Sequence, residues 1–136
     1  MKRLSLVLVL LISLVITSCG GSGPSTSLKV TMTDFAFTPN SFTVPAGEEI
    51  SLNIVNNGAV VHNFVIMKLD TSAGPAWDES DQPNVFWEER DVSSGSELSV
   101  TFTAPTEPGE YQIVCRTAGH IASGMVGKLT VVADEE

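Results

Sequence analysis

Cys115, His120 and Met125 stand at even spacing in the run YQIVCRTAGHIASGMVGKLTV, Tyr111 to Val131, with four residues between each pair. A second histidine, His62, precedes Cys115 by 53 residues. Taken singly, each has a plain reading: His62 as a hydrogen-bonded turn histidine, Cys115 as a small buried hydrophobe, Met125 as core filler. Taken together they make two imidazoles, one thiolate and a weak thioether. That set suits copper, because thiolate favours Cu(I) while imidazole tolerates both oxidation states. Zinc fits less well, since its structural sites take four firm ligands and methionine is not among them. A nucleophilic Cys–His pair is the other chemistry open to these residues. Only Asn63 adjoins a histidine as an amide or acid, and no oxyanion-hole motif is evident.

A folded scaffold must bring His62 to the loop, and the sequence reads as strands. Leu28, Val30 and Met32 alternate with Lys29, Thr31 and Thr33, and Ile50, Leu52 and Ile54 alternate with Ser51 and Asn53. Leu98, Val100 and Phe102 do the same, so each run hides one face. Turn signals separate them at Pro39-Asn40, Pro45-Ala46-Gly47, Asn57-Gly58, Pro105 and Pro108-Gly109. Further runs at Asn63–Leu69, Glu110–Cys115 and Val126–Val132 complete about seven or eight short strands. The expected fold is all-β: an antiparallel β-sandwich with Greek-key connections over residues 28–133. Asp70 to Asp91 breaks the rhythm with seven acidic residues and both tryptophans, Trp77 and Trp87. It reads as a long solvated loop pinned by its aromatics, with a partner-docking surface as the alternative.

The stretch from about Leu28 to Val132 resembles the cupredoxins, or blue copper proteins, most specifically in HNF at His62–Phe64 and in the Tyr111–Val131 run. The resemblance implies one type 1 copper held by His62, Cys115, His120 and a long axial Met125. It further implies that Asn63 ties the two ligand loops together. Electrons would pass at the ring edge of His120 through an apolar patch, here Ala118, Gly119, Ile121 and Ala122, with Ala59 and Val60 beside His62. Two departures stand out. Ala118-Gly119 replaces a frequent Pro-Gly, implying a less stiff loop, and Arg116 follows the cysteine where neutral residues are common. That cation either raises the reduction potential or pairs with an acid.

The chain opens Met1-Lys2-Arg3, runs apolar from Leu4 to Ile16, and reaches Ile16-Thr17-Ser18-Cys19, which resembles a bacterial lipobox. Residues 1–18 are therefore expected to be a signal peptide and Cys19 the lipidated first residue. Residues 19–27 then form a Gly/Ser tether, of which the eight residues after Cys19 reach at most about 26 to 29 Å. Residues 134–136 read as an acidic tail. Losing Lys2 and Arg3 with the leader moves the formal charge from −9 to −11. Such acidity argues against nucleic acid and for cationic partners or plain solubility, and the resemblance implies redox partner proteins, such as basic cytochromes or membrane electron-transport complexes.

The expected function is thus a monomeric, membrane-tethered, extracytoplasmic electron carrier rather than an enzyme, since four protein ligands leave no evident open position. A copper-storing or copper-delivering lipoprotein is the alternative, although such sites tend to be rich in Met or His and the mature chain has only Met32, Met67 and Met125. A metal-free scaffold is the third reading.

Overall fold

Alternation does build the strands. In the computed structural model, which describes residues 23–133, β1 (Ser27–Thr33) buries Leu28, Val30 and Met32. β2 (Ala36–Thr38) and β3 (Ser41–Pro45) are short, and β4 (Glu49–Asn56) buries Ile50, Leu52 and Ile54. β5 (His62–Met67) is buried throughout. A 3-10 turn (Gln82–Asn84) leads into β6 (Val85–Val92), followed by β7 (Glu97–Thr103), β8 (Gly109–Val114) and β9 (Val126–Val132). The expected leader 1–18, the lipidated Cys19 and the acidic tail 134–136 lie outside the described residues. Within the tether expected over 19–27, Ser25 already donates its N–H to the Thr43 carbonyl at 2.9 Å, and Ser27 begins β1.

The strands form a sandwich of two sheets, ordered β2-β1-β4-β7 and β3-β9-β8-β5-β6. Both sheets are mixed rather than wholly antiparallel, because β1 runs parallel to β4 and β3 parallel to β9. Alternation fixes which face of a strand is buried and is silent on strand direction, so the expectation of purely antiparallel pairing is corrected at these two pairs. The described residues hold nine strands, two beyond the lower expectation. One arises inside the segment read as a loop: the second half of Asp70–Asp91 is β6, paired antiparallel with β5 along the sheet edge. Its charged side chains suit an edge strand, where they discourage pairing with another chain. Trp87 on β6 stacks on Phe102 of β7, with centroids 4.8 Å apart, and so joins the margins of the two sheets.

The main core lies between the sheets, where Phe64 receives Phe37 and Phe42 edge-on at 5.5 and 6.2 Å. Each such side chain contributes about 1.5–3 kcal/mol by leaving water. A smaller core covers the other face of β5, where Val65 and Met67 meet Ala73 and Val114, with Trp77, Val85 and Ile121 packed against them. Apolar cover on both faces explains why β5 shows no alternation and makes it the rigid member that carries His62.

Candidate metal centre

Strand register brings the distant donors together. β5 and β8 pair through Ile66↔Ile113 and Val65↔Val114, and one further step along that register sets Phe64 opposite Cys115. Cys115 is the first residue past β8, and the Asn63 N–H donates to its Sγ at 3.4 Å. Beyond it the chain folds into successive turns closed by backbone bonds. The His120 N–H donates to the Thr117 carbonyl at 3.0 Å and the Met125 N–H to the His120 carbonyl at 2.9 Å. The Cys115 N–H reaches the Met125 carbonyl at 3.3 Å, so the ends of the loop are tied. Gly119 has φ 80°, a left-handed conformation that strains other residues. The loop therefore turns on glycine at 119 and is held by its own hydrogen bonds without the proline.

Four side chains converge at this end of the sandwich. Cys115 Sγ lies 3.7 Å from His62 Nδ1 and 3.7 Å from His120 Nδ1, and Met125 Sδ lies 3.4 Å from His120 Nδ1. His62, Cys115 and Met125 are fully buried, and His120 is 6% exposed. With a metal at about 2.0 Å from nitrogen and about 2.3 Å from sulfur, donors spread by about 120° lie about 3.7 Å apart. Both sulfur–nitrogen separations match that trigonal figure, so the residues fit one soft metal ion. A nucleophilic role for Cys115 does not fit, because its sulfur presents no surface to a substrate.

The surroundings prepare the imidazoles and the thiolate. Burial, followed by the neighbouring His120, lowers the pKa of His62 despite the opposing pull of Asp34, which favours the neutral ring that a metal needs. Asn63 is nearly buried, and its Oδ1 lies 3.4 Å from the Thr117 hydroxyl, so it meets the loop by backbone and side chain alike. Thr117, whose role the spacing did not reveal, donates its hydroxyl to the Val61 carbonyl at 3.0 Å and sits 3.4 Å from Cys115 Sγ.

Arg116 pairs with an acid. Its Nη1 lies 3.3 Å from Glu88 Oε2 and 3.3 Å from Gln82 Oε1, and Arg90 binds the other Glu88 oxygen. Of the apolar residues expected around His120, Ala118, Gly119 and Ala122 are exposed, as are Ala59 and Val60. Ile121 is half-buried against the smaller core. Two residues of the β1–β2 turn complete the surround, and nothing in their spacing announced them. Asp34 Oδ1 lies 3.2 Å from His62 Nε2, and the Phe35 ring meets the His120 ring at a centroid distance of 5.0 Å.

The family described as "Cupredoxin-like domain" matches residues 6–131. Auracyanin-A of Chloroflexus aurantiacus is 30% identical, over 96% of this chain and 97% of its own length. Its solved structure, described as that of a "blue" copper protein, superposes with a TM-score of 0.65 at 29% identity, covering 81% of this chain and all of that one. Dithionite-reduced auracyanin from Roseiflexus castenholzii gives a TM-score of 0.68 at 29% identity, covering 81% and 99%. Plastocyanin of Mercurialis perennis is 35% identical over 72% of this chain and 89% of its own.

Proposed function

The chain belongs to the cupredoxin family, and from that membership we propose that it holds one copper ion and carries single electrons between redox partners. When bound, copper supplies a one-electron Cu(II)/Cu(I) couple. His62 Nδ1, Cys115 Sγ, His120 Nδ1 and Met125 Sδ would hold the ion. The carrying observation is the pair of 3.7 Å separations from Cys115 Sγ to the two imidazole nitrogens, on groups almost wholly shielded from water.

The remaining residues hold that geometry while an electron comes or goes. Asn63 donates to the thiolate from β5, Thr117 locks the loop to Val61, and the loop's own backbone bonds fix Met125 beneath His120. A rigid donor set suited to both oxidation states moves little on reduction, which is the requirement for rapid transfer. His120 is the exit by this reading. It is the least buried of the four, and Ala118, Gly119, Ala122, Phe35 and Val60 are exposed near it or near His62. Among the described residues His62, Cys115 and His120 are the one group of three or more His, Cys or acidic side chains placed to hold a metal ion, which favours a carrier over a copper store.

The lipobox-like Ile16-Thr17-Ser18-Cys19 supports attachment to a membrane outside the cytoplasm through lipid on Cys19. Adding Cu(II) to the full chain in detergent tests the central reading. An intense blue thiolate-to-copper band is expected, whereas a colourless complex would favour storage and the absence of binding would overturn both.

A further inference from the structure

The β1–β2 turn places Asp34 against His62, a contact between residues 28 apart. His62 Nε2 and Asp34 Oδ1 are 3.2 Å apart, and the same oxygen accepts the Ala59 N–H at 3.0 Å. A carboxylate only accepts, so the proton of the neutral ring must sit on Nε2. Nδ1 then turns its lone pair toward Cys115 Sγ, 3.7 Å away. The loop across from Asp34 is shaped for this contact. A Cβ at Gly58 would collide with His62 Nε2 and lie 2.6 Å from Asp34 Oδ1. Gly58 is itself fixed, donating its N–H to Asn56 Oδ1 at 2.8 Å and receiving the Ser94 hydroxyl on its carbonyl at 2.5 Å. His62 is fully buried whereas the Asp34 side chain is 39% exposed, so the acid reaches inward from the rim.

We propose that Asp34 is a positioning residue that fixes the His62 tautomer and, by its negative charge on the far side of the ring, lowers the reduction potential of the centre. A carboxylate behind a ligand histidine makes the imidazole a better donor. Its charge also favours the more positive of the two oxidation states. The effect on potential rests on the copper reading above; the effect on the tautomer does not.

Two substitutions separate charge from hydrogen bonding. Asp34→Asn keeps an oxygen for Nε2–H and the Ala59 N–H but removes the charge, and Asp34→Ala removes both. For copper-loaded full-length protein, Asp34→Asn is expected to shift the oxidised-to-reduced ratio at fixed ambient potential about three- to tenfold toward the reduced form, tenfold being about 59 mV upward. A shift under twofold, or a downward one, overturns the role of the charge.

In metal-free protein, nitrogen-15 NMR of the imidazoles is expected to show His62 protonated on Nε2 in the wild type and in Asp34→Asn. A mixed tautomer is expected in Asp34→Ala. A wild-type ring protonated on Nδ1, or an Ala variant with an unchanged tautomer, overturns the positioning role. If the wild type takes up no copper, the copper reading falls, and the metal-free measurement still decides the role of Asp34. If Asp34→Ala does not fold, the wild-type and Asn spectra still decide it.

Discussion

Phe35 meets His120 edge-on, with ring centroids 5.0 Å apart and planes inclined by 62°, from a backbone held at φ 70°. A left-handed conformation costs a side-chain-bearing residue about 1–2 kcal/mol, while an aromatic pair returns about 0.5–1.5 kcal/mol beyond its buried area. The turn that carries Asp34 to one histidine thus carries Phe35 to the other, in a strained conformation that the ring contact helps offset.

That balance predicts an inverted order of stabilities. Phe35→Ala loses the ring and keeps the strain, whereas Phe35→Gly loses the ring and relieves it. The Gly variant should be the more stable by up to about 1 kcal/mol, against the usual rule that glycine loosens a chain. Denaturant unfolding of the metal-free variants measures the difference. An Ala variant more stable than the Gly variant would show that φ at this position is not strained.

At the centre, Cys115→Ser should abolish the blue band, because the transition begins on the thiolate. Met125→Leu should keep copper and colour while raising the potential by about 59 mV or more, since loss of a donor in a dry pocket disfavours the more charged oxidised state. Loss of copper from the Leu variant, measured by metal analysis, would make Met125 a holding ligand rather than a tuning one.

The Glu88 network predicts a pH dependence. Burial raises the Glu88 pKa, but hydrogen bonds from Arg90 and Gln82 and the charges of Arg116 and Arg90 outweigh it, so the carboxyl titrates below its ordinary value. A depressed carboxyl stabilises the fold above its unfolded pKa, and that contribution is lost as pH falls through the folded one. Glu88→Gln should therefore cost about 1–2 kcal/mol at pH 7 and progressively less below about pH 4.5. Thermal melts of both proteins across that range give the comparison, and a difference independent of pH would mean that packing rather than charge sets the cost.

The side-chain cluster at the candidate site was legible in the sequence because its chemistry is rare and its spacing largely local: Cys115, His120 and Met125 share one loop. Strands with one wet face were legible for the same kind of reason. β6 was not, since the charges of Glu88, Glu89, Arg90 and Asp91 on an edge strand resemble those of a solvated loop. Asp34, Phe35 and Thr117 were not legible either. Their roles depend on where the β1–β2 turn and the ligand loop meet, and carry no signature in local spacing. Ile121 shows the converse, an apolar residue assigned to an exposed patch that the small core beside β5 partly claims.

The route of the electron is best tested at Val61. Ile121→Lys would disturb packing, whereas Val61 is 42% exposed and adjoins His62, and its link to Thr117 runs through its backbone carbonyl, so a lysine there leaves the ligand loop tied. If a basic partner docks over His120, Val61→Lys adds a like charge and breaks an apolar contact. Electron exchange with a basic cytochrome should then slow about tenfold while the copper spectrum stays nearly unchanged. The formal charge of −9, or −11 without Lys2 and Arg3, adds a second expectation. Steering between exposed charges is screened beyond a Debye length of about 10 Å at 0.1 M salt, so the wild-type association rate should fall steeply as salt rises. Stopped-flow mixing across a salt series measures both. A rate indifferent to Val61→Lys would place the exit away from His120, and a rate indifferent to salt would leave the acidic surface, Asp70 to Asp91 included, with a role in solubility alone.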